Sequence, residues 1–107
     1  MNNRALTAVL LISIILCSPL VSAAKGVVVY YKSGCSYYIV QTNQGYTLLE
    51  WFGGNDPGEG DTLIGDYEAY GMKDIYNATA DAETKVWVED YMLTKDRAIE
   101  SYFEECN

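Results

Sequence analysis

The sequence predicts a mainly β fold: a small antiparallel barrel of about six short strands, followed by one C-terminal helix. Short segments rich in Val, Tyr, Thr and Leu recur about every ten residues, separated by Gly, Asn and Asp turn signals. In the C-terminal segment, apolar residues instead recur with the spacing of an amphipathic helix. We favour an SH3-like barrel over an OB-like one, because an OB barrel has a helix between its third and fourth strands. This chain has the glycine-rich segment 53–60 there.

Three strands are expected in the first half of the domain. Segments 25–32 and 36–42 are dense in β-branched and aromatic residues, and a Ser-Gly turn separates them. The third strand, 46–52, follows a short hairpin loop in which Gly45 is free to adopt a positive φ. Both faces of this third strand are apolar, so we expect it to be central and buried on both sides.

The second half begins with a loop, because segment 53–60 holds four of the nine glycines and one of the two prolines. The remaining β segments are expected at 62–64, continued by 67–70, then at 72–76 and 84–93, with a polar loop at 77–83.

A helix is expected to begin at Thr94 or Asp96. Its apolar stripe is formed by Ala98, Ile99, Tyr102, Phe103 and Cys106. A bond from Cys106 to Cys35 would hold this helix over the turn after the first strand, where we expect it to cover an open end of the barrel.

The first 23 residues predict a cleavable signal peptide, which leaves 24–107 as a single domain. Arg4 precedes an almost wholly apolar run of about 12 residues, and small residues stand at the −1 and −3 positions for cleavage after Ala23. The alternative is an uncleaved anchor, but the run is shorter than the roughly 20 residues that cross a bilayer. We therefore expect a periplasmic or secreted protein with no stable membrane insertion after cleavage.

The cysteine pattern predicts one disulfide. Cys17 would be removed with the signal peptide, which leaves Cys35 and Cys106 near the two ends of the domain. An even pair in an exported protein indicates an intramolecular bond. Such a bond would stabilise a small core by roughly 4 kcal/mol. An intermolecular pair is the main alternative.

The charge of the chain restricts its partners. The net charge is −8, and removal of Arg4 leaves 6 cationic against 15 anionic side chains, a net charge of −9. This charge repels nucleic acids and anionic lipid surfaces, and it attracts basic proteins or peptides. Solubility alone is the more common reason for such a charge.

The sequence lacks the residues that most enzyme active sites require. The chain has no histidine, no CxxC motif and no phosphate-binding glycine loop, so we expect no enzyme, no cofactor and no metal. The alternative is a small carboxylate-dependent hydrolase, for which Glu50 is the best candidate because it lies among apolar neighbours on a central strand. Asp61, Asp66 and Asp74 are its candidate partners.

Two local motifs leave alternatives open. Segment 55–61 brings four oxygen-bearing side chains together, which suits calcium, but a plain β-turn explains the Asn-Asp-Pro-Gly sequence equally well. Asn77 begins a formal glycosylation sequon in the predicted polar loop, a position that suits a glycan.

The aromatic residues are the most unusual feature. All 10 tyrosines follow the predicted signal peptide, and tyrosine is favoured at recognition surfaces because it offers a large contact area at low entropic cost. The predicted contact surface combines the acidic loop with the tyrosines that follow it: Asn55, Asp56, Glu59, Asp61, Tyr67 and Tyr70.

The function expected from these features is a non-enzymatic binding module. An inhibitor or immunity-type protein that captures a basic protein partner has this general character. The alternatives are a structural or assembly component of the cell envelope, which would associate with itself through aromatic strand edges, and the carboxylate-dependent hydrolase.

Overall fold

A computed structural model describes residues 23–106. The predicted signal peptide, except for Ala23, lies outside these residues, as does Cys17, so cleavage after Ala23 stays a prediction. The elements are β1 (Ala24–Tyr30), β2 (Tyr37–Thr42), β3 (Gly45–Gly54), β4 (Thr62–Gly65), β5 (Gly71–Asn77), β6 (Ala82–Leu93) and α1 (Lys95–Glu105).

The six strands form a closed barrel in the order β1-β2-β3-β6-β5-β4. Two three-stranded meanders, β1-β2-β3 and β4-β5-β6, are joined by antiparallel pairs between β3 and β6 and between β1 and β4. The predicted fold class, a small antiparallel barrel with a C-terminal helix, is confirmed. Because every strand has two neighbours, the barrel has no free strand edge among these six elements.

The barrel interior is filled by alternate residues of every strand. Every second side chain of a strand points inward. On β6, for example, Val86 and Val88 point inward, while Trp87 between them points outward. The interior core consists of Val28, Tyr38, Val40, Leu49, Leu63, Tyr67, Ile75, Val86 and Val88.

Strand boundaries differ from the prediction mainly in two places: β4 ends at Gly65, so the expected continuation over 67–70 is not a strand, and the turn that joins β5 to β6 is shorter than expected. Segment 77–83 was expected to be a loop, but β5 continues to Asn77 and β6 begins at Ala82. The Asn77 Oδ1 accepts hydrogen bonds from the backbone N–H groups of Thr79 (3.0 Å) and Ala80 (3.1 Å), which tightens the turn. The predicted hairpin glycine, Gly45, has a φ of 123°, as its position requires.

Helix α1 lies on the outer wall of the barrel, which corrects the expectation that it covers an open end. Ile39 on β2 and Leu48 on β3 are directly paired and face outward, and both are buried against Ala98 and Tyr102 of the helix. These four residues form a second core that is separate from the interior core. Strand β3 is therefore apolar on both faces because the interior covers one face and the helix covers the other.

Both ends of the helix are fixed. The side-chain oxygen of Thr94 accepts a hydrogen bond from the backbone N–H of Arg97 (3.2 Å), which caps the N-terminus. At the other end, Cys106 is bonded to Cys35, with the two Cα atoms 5.7 Å apart. The predicted intramolecular disulfide is confirmed. Between residues 23 and 106, no helix combines the length and the apolar character that a membrane span requires.

Candidate functional site: an aromatic face lined with carboxylates

The acidic loop 55–61 is held in place by its own side chains. The buried amide of Asn77 donates hydrogen bonds to the Asn55 Oδ1 (2.8 Å) and the Asp61 Oδ2 (2.9 Å). The same Asp61 oxygen accepts a hydrogen bond from the backbone N–H of Gly58 (3.0 Å). Asn77 is fully buried by these contacts, so it does not offer the exposed amide that the predicted glycosylation site requires.

The other two acidic residues of the loop also have partners within the protein. The Tyr31 hydroxyl donates a hydrogen bond to the Asp56 Oδ1 (2.7 Å), and the Tyr31 backbone N–H donates one to the Glu59 Oε2 (2.8 Å). That backbone hydrogen bond, together with the nearby Lys32 ammonium, lowers the pKa of Glu59. The loop oxygens are therefore largely occupied in fixing the loop.

Tyr67 and Tyr70 do not share a surface with this loop. Tyr67 is only 2% exposed because its side chain packs into the barrel interior, so its predicted role as an exposed contact residue is corrected. Tyr70 is 64% exposed, and its hydroxyl donates a hydrogen bond to Asp90 (3.3 Å). Loop 55–61 precedes β4 and the two tyrosines follow it, so the structure separates them to opposite ends of that strand.

A different surface combines exposed apolar side chains with carboxylates that form no ion pair in the described part of the chain. It lies on the outer side of β3, β6 and β5, where directly paired residues form a row across the sheet: Glu50 pairs with Trp87, and Trp87 pairs with Met72. We name this surface the aromatic-acidic face. Its members are Glu50, Phe52, Met72, Tyr76, Glu83, Trp87 and Glu89, and the ion-paired Asp74 and Lys85 lie among them.

Four large apolar side chains of this face are exposed. Phe52 is 50% exposed, Met72 44%, Tyr76 40% and Trp87 39%. Large aromatic and Met side chains of this kind are enriched at protein interfaces, where burying them contributes most of the binding energy. Four such residues on three neighbouring strands make a cluster rather than isolated exposed side chains.

Negative charge is concentrated beside these aromatics. Partial burial raises the pKa of Glu89, and the carboxylates of Glu105, Glu50 and Asp90 raise it further. Burial and the Glu50 carboxylate likewise raise the pKa of Tyr37, the β2 residue paired with Glu50. In the part of the chain that the structure describes, neither Glu50 nor Glu89 forms an ion pair with Lys or Arg.

The carboxylates considered for hydrolysis are dispersed. Asp61 is bonded to Asn77, Asp66 lies 3.6 Å from the Lys73 ammonium, and Asp74 lies 3.1 Å from the Lys85 ammonium. Glu50 and Glu89 are neighbours, but they lie on an open sheet surface and line none of the three principal cavities. Among residues 23–106, no group of three or more Cys, Asp or Glu is arranged to hold a metal ion.

Only part of the aromatic-acidic face was visible in the sequence. The alternation in 84–93 places Trp87 and Glu89 on one face of a strand, and that alternation is a sufficient signal for those two residues. The alignment of Met72 and Glu50 with Trp87 depends on strand pairing, which the sequence alone does not give.

Comparisons with known proteins add no further residues to this site. The chain matches no protein-family model, and it is significantly similar to no curated protein and to no solved structure. The functional inference therefore starts from the geometry and charge of the aromatic-acidic face.

Proposed function

We propose that the protein is an exported, non-enzymatic binding module that captures a basic protein partner on the aromatic-acidic face, as an inhibitor or an immunity-type protein does. The observation that carries the proposal is the direct pairing of the exposed Trp87 with Glu50 and Met72, beside a carboxylate, Glu89, whose pKa is raised by partial burial and by other carboxylates. Aromatic anchors surrounded by unpaired charge of one sign favour a partner of the opposite sign.

The two kinds of side chain contribute differently to binding. Trp87, Met72 and Phe52 lose solvent contact when the partner covers them, and this burial supplies most of the affinity. The carboxylates attract Lys and Arg side chains over a longer range and increase the association rate. A cation placed near Glu89 would also relieve the repulsion that raises its pKa.

Export is part of the proposal. The Cys35–Cys106 disulfide is compatible with an oxidising compartment such as the periplasm or the extracellular space. The disulfide also fixes the C-terminal end of α1. This end lies near the face, since the Glu105 carboxylate contributes to the raised pKa of Glu89. A partner in that compartment would therefore meet a surface whose negative charge is fixed in place.

The experiment is affinity capture from a cell-envelope extract with the oxidised protein as bait, at low and at high salt. A captured basic protein that is released at high salt supports the proposal, because screening weakens attraction between exposed charges. The partner is then titrated against Trp87→Ala. We expect this variant to weaken binding by about 2 kcal/mol, which is roughly 30-fold in Kd.

Phe103→Ala is the matched control, because Phe103 is a 53% exposed aromatic on the helix and lies outside the aromatic-acidic face. It should bind the partner with unchanged affinity. Binding that is insensitive to salt, or equal affinity of Trp87→Ala and the unchanged protein, would contradict the proposal.

Self-association is the second candidate, and the same exposed face favours it. Because the barrel is closed, association through free strand edges is not available among β1–β6, so two copies would have to meet face to face. Like charges on Glu50 and Glu89 oppose such contact at low salt. Sedimentation velocity separates the two candidates: dimers that form more readily at high salt and disappear in Trp87→Ala would favour self-association.

A further inference from the structure

A second apolar surface lies on a different side of the barrel. A groove with a volume of about 480 Å³ runs between α1 and the outer side of β1 and β2. Its apolar lining comes mainly from Val29, Tyr30, Ile39, Ile99, Tyr102 and Phe103. Cavities of roughly 300–1,000 Å³ with apolar walls and a few polar groups are typical sites for small molecules.

The groove exists because the apolar stripe of α1 is wider than the surface that it covers. Ala98 and Tyr102 are buried against the sheet, but Ile99 remains 39% exposed and Phe103 53% exposed. On the opposite wall, the outward-facing Val29 is also 39% exposed. Apolar side chains therefore face solvent from both walls of the groove, although Ala98 and Tyr102 of the helix are fully buried.

One end of the groove carries a positive charge. Within residues 23–106, four of the basic side chains form ion pairs: Lys32, Lys73, Lys85 and Arg97. Lys95 lines the groove and forms no ion pair with Asp or Glu in the described part of the chain. This is an unusual arrangement in a chain with 15 acidic side chains.

The position of Lys95 in the helix adds to this charge. Lys95 is the first residue of α1, at the end where the helix dipole is positive and where a cation is unfavourable unless an anion lies nearby. Asp96 is in the same turn but does not line the groove. The ammonium group therefore favours an anion at this end of the groove.

We propose that the groove binds a single-chain amphiphile with a carboxylate head, such as a medium- or long-chain fatty acid. The carboxylate pairs with the Lys95 ammonium, and the alkyl chain lies between Val29 and the Ile99–Phe103 side of the helix. The groove lies on β1, β2, the start of β3 and α1, whereas the aromatic-acidic face lies on β6, β5 and the later part of β3, and no residue belongs to both surfaces. This inference therefore does not depend on the proposed basic partner.

The test measures binding of three probes to the oxidised protein by titration calorimetry, each below its micelle concentration. Dodecanoate, dodecanol and dodecyltrimethylammonium share one chain length and differ in the charge of the head. We expect dodecanoate to bind with one-to-one stoichiometry, dodecanol about tenfold more weakly, and the cationic probe not measurably, because only the carboxylate can form an ion pair with the Lys95 ammonium. Equal binding of dodecanoate and dodecanol, or no binding of dodecanoate, would overturn the proposal.

Two lysine variants locate the charge. Lys95→Gln should weaken dodecanoate binding about tenfold and leave dodecanol binding unchanged. Lys25→Gln is the matched control, because Lys25 also lacks an ion pair in the described residues but does not line the groove. If both lysine variants reduce dodecanoate binding equally, the effect comes from overall charge and the proposal is wrong.

Two further measurements separate this site from the aromatic-acidic face. Ile99→Gln should weaken both dodecanoate and dodecanol because it makes the apolar wall polar, whereas Trp87→Ala should change neither. If a captured basic protein displaces dodecanoate from the groove in one-to-one competition, the groove is part of the protein interface and the separate ligand site is refuted.

Discussion

Glu59 in the acidic loop and Glu89 on the outer face of β6 are glutamates with opposite surroundings. Glu59 accepts a backbone hydrogen bond from Tyr31 and lies 3.6 Å from the Lys32 ammonium, and its pKa is lowered. Glu89 is partly buried beside other carboxylates, and its pKa is raised. The density of acidic residues along a sequence therefore does not show where negative charge is available to a partner.

The difference follows from how each region is built. Loop 55–61 has no regular backbone pairing of its own over most of its length, so its side chains supply hydrogen bonds that fix its shape. The strands of the aromatic-acidic face are already held by backbone hydrogen bonds, so Glu50 and Glu89 are not needed to hold the strands together. This difference indicates a structural role for the loop and supports the proposed recognition role of the face.

The largest expected effect is on stability and concerns the loop. Asn77→Ala removes the amide that bridges Asn55 and Asp61 and also the acceptor for the backbone of Thr79 and Ala80. Because these groups are left without partners, we expect a loss of about 2–3 kcal/mol in the free energy of unfolding. Urea denaturation of the oxidised protein measures it. Asn43→Ala, at an exposed hairpin position, is the control and should change stability by less than about 0.5 kcal/mol; equal losses in the two variants would refute the structural role of the loop.

A smaller effect is expected on the association rate with the basic partner. The double variant Glu50→Gln, Glu89→Gln removes two charges from the aromatic-acidic face, and Asp56→Asn, Glu59→Gln removes two from the loop. The face variant should slow association about three- to tenfold at low salt, because it removes unpaired charge beside the contact residues. Stopped-flow mixing at several salt concentrations measures the rates. A slower rate in the loop variant than in the face variant would transfer recognition to the loop.

The smallest expected effect is the pH dependence of stability. Because the pKa of Glu89 is raised, the folded protein binds a proton at this carboxyl group more tightly than the unfolded chain does. The contribution of Glu89 to stability therefore falls as the pH rises from the usual glutamate range through the raised pKa. Glu89→Gln should therefore match the unchanged protein near pH 3 and be more stable at pH 7.

Glu59 should behave in the opposite way. Its pKa is lowered in the folded protein, so it stabilises the fold above the usual glutamate range, and this contribution is lost as pH falls through the lowered pKa. Glu59→Gln should therefore be less stable than the unchanged protein at pH 7, and the difference should vanish near pH 3. Urea denaturation at the two pH values checks both variants, and differences of the same sign would contradict the contrast between the two regions.

The local elements were determined by the sequence itself. Segments rich in β-branched and aromatic residues between turn signals specified the six β segments, a glycine specified the hairpin at Gly45, and the helical stripe specified α1. Two cysteines in an exported-type sequence were sufficient to predict the bond between Cys35 and Cys106. These features were predictable because each depends on residues close together in the chain or, for the disulfide, on the two cysteines that follow the predicted signal peptide.

Only the tertiary structure decided how these elements meet. Glu50, Met72 and Trp87 are far apart in sequence and become neighbours through the register of three strands. The tertiary structure also buries Tyr67 in the barrel interior and packs α1 against the outward-facing side chains of Ile39 and Leu48. Side-chain alternation is a property of one strand, whereas strand order and register arise from long-range pairing. For that reason the sequence predicted the barrel and its disulfide but not the position of the aromatic-acidic face.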